Sequence, residues 1–521
     1  MNENKLSTKD RILQRLQEHS DFPAMSSTIN IINQFKAAED TSVSEFANIV
    51  LKDYALTSKV LKLVNSVSYS QFGEVTTVSR AIILLGFENI KNLALTLMLF
   101  DHFRKISSNV DLVDTMVKSF YSGVLSQKIC DEIYFSNKEE AFICSLFHTF
   151  GKMLVSFALP ETIKEIKLAS REKGISEDAA ALSILGGRYE EVGMAIAREW
   201  HFPNRIVTSM HKLRGMEITA PAGEVDQLNS IASLANEIAN ILSSSPEKKE
   251  MYERIGKLAE MFKTHFPGLN GEKIAAVINA SLEDLNQFSD IFNINMDKVP
   301  FNRQLLIWAD KADKPEVTVT GAVQLDFTTE ELKTIDIIVG SEKEDTPENI
   351  FTKGIQDVNS SILSNFSLND VLRIVLETIY RGMQLSGEAR ALFLIKDTKA
   401  PVMRIRFGFG SGIEELKKWF NIALADSGDI FNRAILKRHD LVIRDIEPPD
   451  INKLLPGWYK RNASAGIFFV LLPIVINNKP IGMFYVEGDR EGYKKISSGH
   501  LNYLKILRDQ TVVAVRQKHL N

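Results

Sequence analysis

Cysteine is almost absent: Cys130 and Cys144 are the two thiols in 521 residues. Two thiols cannot build a disulfide framework or a Cys-rich zinc site, and a reducing cytoplasm is the setting this implies. Both sit in helix-like stretches, where they read as small buried apolar residues. Histidine is scarce too, nine in the chain. Long hydrophobic runs are missing. The longest nearly unbroken ones, 93–100 and 467–476, fall well short of the roughly 20 residues that span a bilayer. Residues 1–11 are polar and hold no apolar signal-peptide core, so neither export nor membrane anchoring is expected. Also lacking are Lys/Arg runs suited to a phosphate backbone, which removes nucleic acid from the expected partners.

What is present is a globular composition. Apolar residues make up 45% and charged residues 25%, which excludes disordered and fibrous classes. The length exceeds what one core supports, so two or three domains are expected. The net charge of −4 is unevenly spread. Residues 1–300 carry 32 basic against 38 acidic side chains, 301–350 carry 5 against 11, and 351–521 carry 25 against 17. The basic tail could favour an anionic ligand, but its charges are dispersed.

Helical periodicity dominates the first 300 residues. Ser42 with Glu45 makes a capping box ahead of Phe46, Ala47, Val50 and Leu51. Phe87, Ile90, Leu93, Ala94 and Leu97 form one apolar stripe. Leu228, Ile231, Leu234, Ala235, Ile238 and Leu242 form another, and Ile274, Val277, Ile278, Leu282, Leu285 and Phe288 a third. Each stripe must bury against another helix. Residues 311–350 break the pattern: 316–323 is strand-prone, whereas 341–349 (SEKEDTPEN) is acidic and poor in apolar residues. This segment reads as a linker.

Beyond it the pattern mixes. Ser367 with Asp370 caps a helix, 391–395 reads as a buried strand, and Met403, Ile405 and Phe407 alternate with Arg404 and Arg406. A short strand follows at 441–444. Segments 466–476 and 481–487 flank a hairpin signal at 477–480, and a last helix runs over 497–517. The expected fold is multidomain: an all-α domain over 1–310, then an α+β domain over 351–521 with a central antiparallel sheet.

Within the helical part, 140–151 reads EAFICSLFHTFG. It resembles the stretch of HD-type metal phosphohydrolases in which an adjacent His-Asp pair ligates the metals. Here His148 is followed by Thr149, and a neutral hydroxyl is a poor ligand for a hard divalent cation. No histidine lies between His102 and His148, and Tyr189 stands where related modules often have histidine. His148 and His211 are therefore vestigial candidates, and neither a bound metal nor any other cofactor is expected. Further blocks are Phe22-Pro23-Ala24-Met25, Lys52-Asp53-Tyr54-Ala55-Leu56, Asn65-Ser66, the turn at Gly86, Gly151, Gly193, Trp200, Phe202-Pro203 and His211. In order and spacing they resemble the HD-related output domain, HDOD, over 21–213, with Tyr54 replacing a usual proline and further helices continuing to about 300. The resemblance implies a helical module without the parent chemistry that acts through contacts with a signalling protein.

The C-terminal part resembles a GAF domain in its order of elements, with Arg390–Ile395 (RALFLI), Leu472-Pro473-Ile474 and the hairpin into Ile481-Gly482-Met483. The resemblance implies a small-molecule pocket between the sheet and its covering helices, with Phe393, Trp419, Asp445 and Trp458 as wall candidates. The alternative is a closed aromatic core that binds nothing. GAF relatives often transmit through flanking helices as dimers, so a homodimer is a further expectation. With no cysteine in this part, thiol-attached bilin is excluded. Three readings follow: a non-catalytic cytoplasmic regulator with GAF input, a metal-dependent phosphohydrolase acting on a nucleotide or cyclic dinucleotide, or a chain whose GAF part only dimerises.

Overall fold

The computed structural model describes residues 7–18, 22–35, 40–65, 75–106, 109–214, 221–245, 247–292, 294–310, 346–364, 366–385, 387–425, 428–462, 467–489, 492 and 496–520. Helices come first: α1 (Thr8–Glu18), α2 (Phe22–Gln34), α3 (Asp40–Lys52), α4 (Tyr54–Val64), α5 (Val78–Leu85), α6 (Phe87–Ile106), α7 (Val110–Ile133), α8 (Lys138–Phe147) and α9 (Phe150–Ala158). They continue as α10 (Pro160–Lys173), α11 (Glu177–Leu185), α12 (Tyr189–Glu199), α13 (Asn204–Ser209), α14 (Glu224–Ser244), α15 (Lys248–Met261), α16 (Gly271–Phe292) and α17 (Pro300–Trp308). After α18 (Pro347–Leu363) and α19 (Leu368–Gly382) come β1 (Arg390–Lys396), β2 (Val402–Gly410), α20 (Ile413–Trp419) and β3 (Asn421–Ala423). The chain ends with α21 (Ile430–Lys437), β4 (Leu441–Ile443), α22 (Pro449–Leu454), α23 (Gly457–Lys460), β5 (Ile467–Ile476), β6 (Lys479–Asp489) and α24 (Ser498–Leu520).

These residues group into two compact units. The first gathers 1–36, 58–73 and 85–316, and the second gathers 37–57, 74–84 and 317–521. Segments 37–57 and 74–84 lie within the 1–310 domain expected from sequence and pack with the second unit. Their anchors are polar atoms that bond the backbone and helices of the later segment, which hydrophobic periodicity cannot reveal. Residues 311–345, most of the expected linker including the strand-prone 316–323, lie outside the described residues. The linker's last residues are helical: Thr346 accepts from Asn349 N, and Pro347 sits in the first turn, where its missing N–H costs nothing.

In the first unit α7, α8 and α14 pack together, with α9 and α16 against α7 and α12 against α9. The stripes read from the sequence are the buried faces: Phe87, Ile90, Leu93, Ala94 and Leu97 of α6 are buried, as are all six named residues of α14. On α16, Ile274, Val277 and Ile278 are buried and Leu282 is half-buried, whereas the side chains of Leu285 and Phe288 lie outside the described residues. Ends are closed by local chemistry. Asn109 caps α7 by accepting from Asp111 N, and Gly174 ends α10 in the left-handed conformation at φ 61°. Helix α3 begins at Asp40, two residues ahead of the expected cap at Ser42. Asp53 Oδ1 accepts from Leu56 N at 3.0 Å and so caps the first turn of α4.

The second unit holds a six-stranded sheet in the order β3-β2-β1-β6-β5-β4, and every adjacent pair is antiparallel. Asn477 and Asn478, both at positive φ (48° and 62°), form the two-residue turn between β5 and β6. Helices α18, α19 and α24 pack together, with α19 against β1 and β2 and α24 against β5. On the other face, α20, α21 and α23 contribute Ile413, Leu416, Phe431, Ile435 and Tyr459 to a core with Leu392, Leu394, Met403, Phe469 and Tyr485.

Candidate functional site

His148 follows the last turn of α8 and Thr149 precedes α9, so the vestigial pair sits at a helix–helix corner. The ring Nδ1 lies 2.7 Å from the Ser209 carbonyl. A carbonyl only accepts, so Nδ1 carries the proton and Nε2 holds the lone pair. Burial pushes the His148 pKa below its usual value, against the Ser209 hydrogen bond, which keeps the ring neutral. This is the orientation a metal-ligating histidine takes.

Its surroundings do not complete such a centre. The Thr149 hydroxyl is hydrogen-bonded to Ser119. Lys212 Nζ lies 2.7 Å from Asp178 and 2.9 Å from Glu237. Glu190 is paired with Arg214, and Glu177 lies 2.7 Å from Lys152 and accepts from the Tyr189 hydroxyl at 3.2 Å. The charges of Lys212, Glu237 and Glu190 all act on His148. Burial disfavours the Lys212 ammonium, yet Glu237 and Asp178 carry its pKa above the ordinary lysine range. Burial likewise opposes the Glu177 charge, but Lys152 holds its carboxyl below the ordinary range. Among the described residues no group of three or more His, Cys, Asp or Glu side chains could hold a metal ion. One imidazole nitrogen and carboxylates already neutralised by lysine and arginine do not fit a divalent metal. Tyr189, where related modules often carry histidine, is buried with its hydroxyl spent on Glu177.

On the sheet, the wall candidates divide between two faces. Trp419 and Trp458 pack against the core that holds Phe420, Phe431, Tyr459 and Tyr485, with their ring centroids 6.3 Å apart. Phe393 is absent from that core and alternates with its members Leu392 and Leu394 along β1. Its ring lies 5.6 Å from Phe407 and 5.5 Å from Phe484, and the Arg373 guanidinium of α19 lies 5.8 Å from the Phe407 ring. Phe393 therefore lines the α19 face, and it cannot share a wall with the two tryptophans. Asp445 accepts from Glu447 N at 3.0 Å and shapes its own loop. The polar feature of the tryptophan face is a chain absent from the sequence reading. The Tyr459 and Tyr485 hydroxyls lie 2.9 Å apart, Tyr485 donates to Glu487 Oε2 at 2.6 Å, and Arg390 pairs with Glu487. Burial pushes the Glu487 pKa up despite Arg390.

Comparison with known proteins bears on the helical site. Residues 22–214 match the HDOD domain family. This stretch is an HDOD domain. A protein of Treponema pallidum (strain Nichols) that bears no functional name is 22% identical over 196 residues, 36% of this chain and 37% of its own. The chain thus spans little more than a third of that relative's length. An HDOD domain protein of unknown function from Geobacter sulfurreducens aligns over 52% of this chain and 93% of its own, at 18% identity and a TM-score of 0.40. The GAF domain of an Acinetobacter phosphoenolpyruvate-protein phosphotransferase aligns over 33% of this chain and 96% of its own, at 16% identity and a TM-score of 0.27.

Several HDOD motif positions have physical roles in the fold. A Cβ on Gly151 of α9 would lie 1.8 Å from the Tyr189 carbonyl oxygen, and one on Gly193 of α12 would lie 2.8 Å from Gly151 N. The two glycines therefore let α9 and α12 cross at backbone contact. Trp200 is buried with its ring edge-on to Phe150 at 5.9 Å. Gly86 adopts φ 89° between α5 and α6. Pro203 precedes α13, and His211 N bonds back to Thr208 O just beyond that helix. Asn65 N bonds Leu61 O at the end of α4, and Ser66 lies outside the described residues. The ion pairs around His148 went unread in the sequence. Their visible trace was His211-Lys212-Leu213-Arg214, two cations beside a ligand candidate.

Both thiols are core residues. Burial pushes the Cys144 thiol up to about 12 and raises that of Cys130 as well. Among the described residues one stretch, Lys138–Ala158, is long and apolar enough to cross a membrane, and 83% of its apolar window is buried inside the protein.

Proposed function

We propose that the chain is a non-catalytic signal-transduction regulator in which a GAF-type sensor over 351–521 modulates protein contacts of the HDOD domain. The observation that carries this reading is the fate of the carboxylates around His148. Glu177, Asp178, Glu190 and Glu237 are each engaged by a lysine or arginine. Ammonium and guanidinium groups thus neutralise the charge that a catalytic metal would need, and among the described residues no group of three or more His, Cys, Asp or Glu is left to hold a water-activating cation. The GAF reading is supported by the order of elements: two helices, an antiparallel sheet with small helices over one face, and a long closing helix. The buried Tyr459–Tyr485–Glu487 chain lies on the sheet face where such a sensor would meet a small molecule. The expected working partners are a signalling protein for the HDOD domain and a small ligand for the sheet.

The test uses the full-length protein. After incubation with manganese, magnesium or ferrous iron and removal of free ions, metal analysis is expected to find far less than one ion per chain, and cyclic dinucleotides are expected to remain intact. Stoichiometric divalent ions, with phosphoester cleavage abolished by His148→Ala, would establish the phosphohydrolase reading instead. For the sensor half, a metabolite screen by thermal shift is expected to yield a ligand whose stabilisation is lost in Trp458→Ala. A screen that stabilises nothing would leave the sheet a dimerisation module.

A further inference from the structure

The second unit contains a receiving site for a piece of its own chain. Helices α18 and α19 pack at very short range: a Cβ on Gly354 would lie 2.2 Å from the Thr378 side chain, and one on Gly382 would lie 2.7 Å from the Phe351 ring. From this pair two buried carboxylates face residues 75–84 of the same unit. Glu377 accepts from Val78 N at 2.6 Å and from Ser79 N at 2.8 Å, the first two amides of α5. Those amides have no partner inside their own helix, and the helix dipole adds positive charge there, so the carboxylate acts as a cap supplied from a distant segment. Asp357 accepts from Thr76 N at 3.1 Å and from its hydroxyl at 2.5 Å, and pairs with Arg80. Arg381 donates to the Thr76 carbonyl. A second attachment lies at the sheet, where β3 pairs with β2 over Arg404, Met403 and Val402 only. Further along β2, Asn48 of α3 donates to Gly408 O at 3.1 Å and accepts from Gly410 N at 3.0 Å.

We infer that Asp357 and Glu377 form a clasp on the N-terminus of α5, and that through it the state of the C-terminal sheet unit is transmitted to the HDOD segment. Three features favour transmission over plain packing. Both carboxylates belong to helices of the sheet unit, α19 packing directly on β1 and β2. Glu377 binds backbone amides, and Asp357 adds the Thr76 amide to its side-chain partners Thr76 and Arg80, so much of the contact fixes backbone position. The held helix runs through Gly86 directly into α6, which belongs to the first unit. A clasp of this kind has two positions, made and released, and a sheet ligand that binds one of them better shifts the balance. Burial holds both carboxyls above the ordinary carboxylate range, so a released clasp regains solvation and is not prohibitively unfavourable.

The purpose assigned to the clasp rests on the signalling reading, but its test does not use metal, substrate or partner. Amide exchange is followed in the full-length protein. In Glu377→Ala, peptides covering 76–84 are expected to exchange about tenfold faster or more, with a smaller rise in α6, while β1, β5 and β6 keep their protection. Thr76→Val, which removes one donor to Asp357 and keeps the residue's shape, is expected to give the same pattern, weaker by several-fold. It stands in if the first variant fails to fold. Unchanged exchange in 76–84 would overturn the clasp. An equal rise in the strands would make the contact an ordinary part of the core and overturn transmission.

Discussion

The two units treat charge in opposite ways. Around His148 the acidic groups meet full opposite charges, with Glu177, Asp178 and Glu237 partly exposed and Glu190 buried. Glu177 faces Lys152, Asp178 and Glu237 share Lys212, and Glu190 holds Arg214. In the sheet unit Asp357, Glu377 and Glu487 are buried, and much of their hydrogen bonding comes from neutral groups: backbone amides, the Thr76 hydroxyl and the Tyr485 hydroxyl. The pKa directions follow. Glu177 is held down by its lysine, whereas burial pushes all three of the others up. Paired charge at a surface is inexpensive and adaptable, and its geometry is loosely set. Buried charge met by fixed donors tolerates little displacement, which suits a part that must report its position.

The strongest way to break this comparison is to disturb the frames that hold each network. Gly151→Ala would drive a methyl into the Tyr189 carbonyl, a backbone atom. The expected cost is about 3 kcal/mol or more, read from denaturant unfolding, and truncating neighbouring side chains should not restore it. Gly354→Ala meets the Thr378 side chain instead, so Thr378→Ala should recover part of its loss, about 1 kcal/mol or more. Recovery of neither, or of both, would show that the two glycines serve the same purpose.

Tyr485→Phe probes the buried chain itself. It removes the donor to Glu487 and the partner of the Tyr459 hydroxyl without changing volume. A loss of about 1–3 kcal/mol is expected, because a buried charge is left short of a hydrogen bond. Urea unfolding followed by tyrosine and tryptophan fluorescence reads it, and a neutral outcome would show that Arg390 alone satisfies Glu487.

Much of this architecture was legible in the sequence, and the division has a physical basis. Apolar stripes on α6 and α14, the Ser367 cap of α19 and the Asn477-Asn478 turn are local signals, carried by residues a few positions apart. The HDOD blocks were readable because short motifs recurred in order. What stayed hidden is long-range and polar. Glu377 sits among apolar residues of an amphipathic helix and looks like any solvated acid until its backbone partners 298 or more positions away are placed. Phe393 was misgrouped with Trp419 because a strand's two faces are told apart only by register against neighbours. The pairing of Lys212, just beyond α13, with Asp178 of α11 and Glu237 of α14 joins three segments that no spacing rule connects.

Acid should separate the units. A histidine buried in its neutral form resists protonation, so His148 contributes stability above its ordinary pKa of 6.5 and loses it as pH falls below that value. Carboxyls raised by burial bind protons more readily in the folded state. Asp357, Glu377 and Glu487 therefore add stability as pH falls through their raised values toward the ordinary 3.8 for Asp and 4.5 for Glu. Between about pH 7 and pH 5, amide exchange corrected for intrinsic rate should show the HDOD side losing protection while the sheet holds or gains it. Parallel loss in both would contradict the opposed directions, and His148→Gln should flatten the first response only.

The smallest effect is expected at Lys212, and its smallness is the point. Its side chain and that of Glu237 are 26% and 28% exposed, so solvent screens the pair and a second acceptor, Asp178, stands ready at 2.7 Å. A double-mutant cycle with Lys212→Met and Glu237→Gln should give a coupling of about 0.5 kcal/mol, within the range of partly exposed ion pairs. Lys212→Met will also leave two carboxylates, Asp178 and Glu237, without their shared cation, and stability will become more sensitive to salt. A coupling of several kcal/mol would mean instead that the network around His148 is as rigid as the clasp on α5, and the contrast between the two units would disappear.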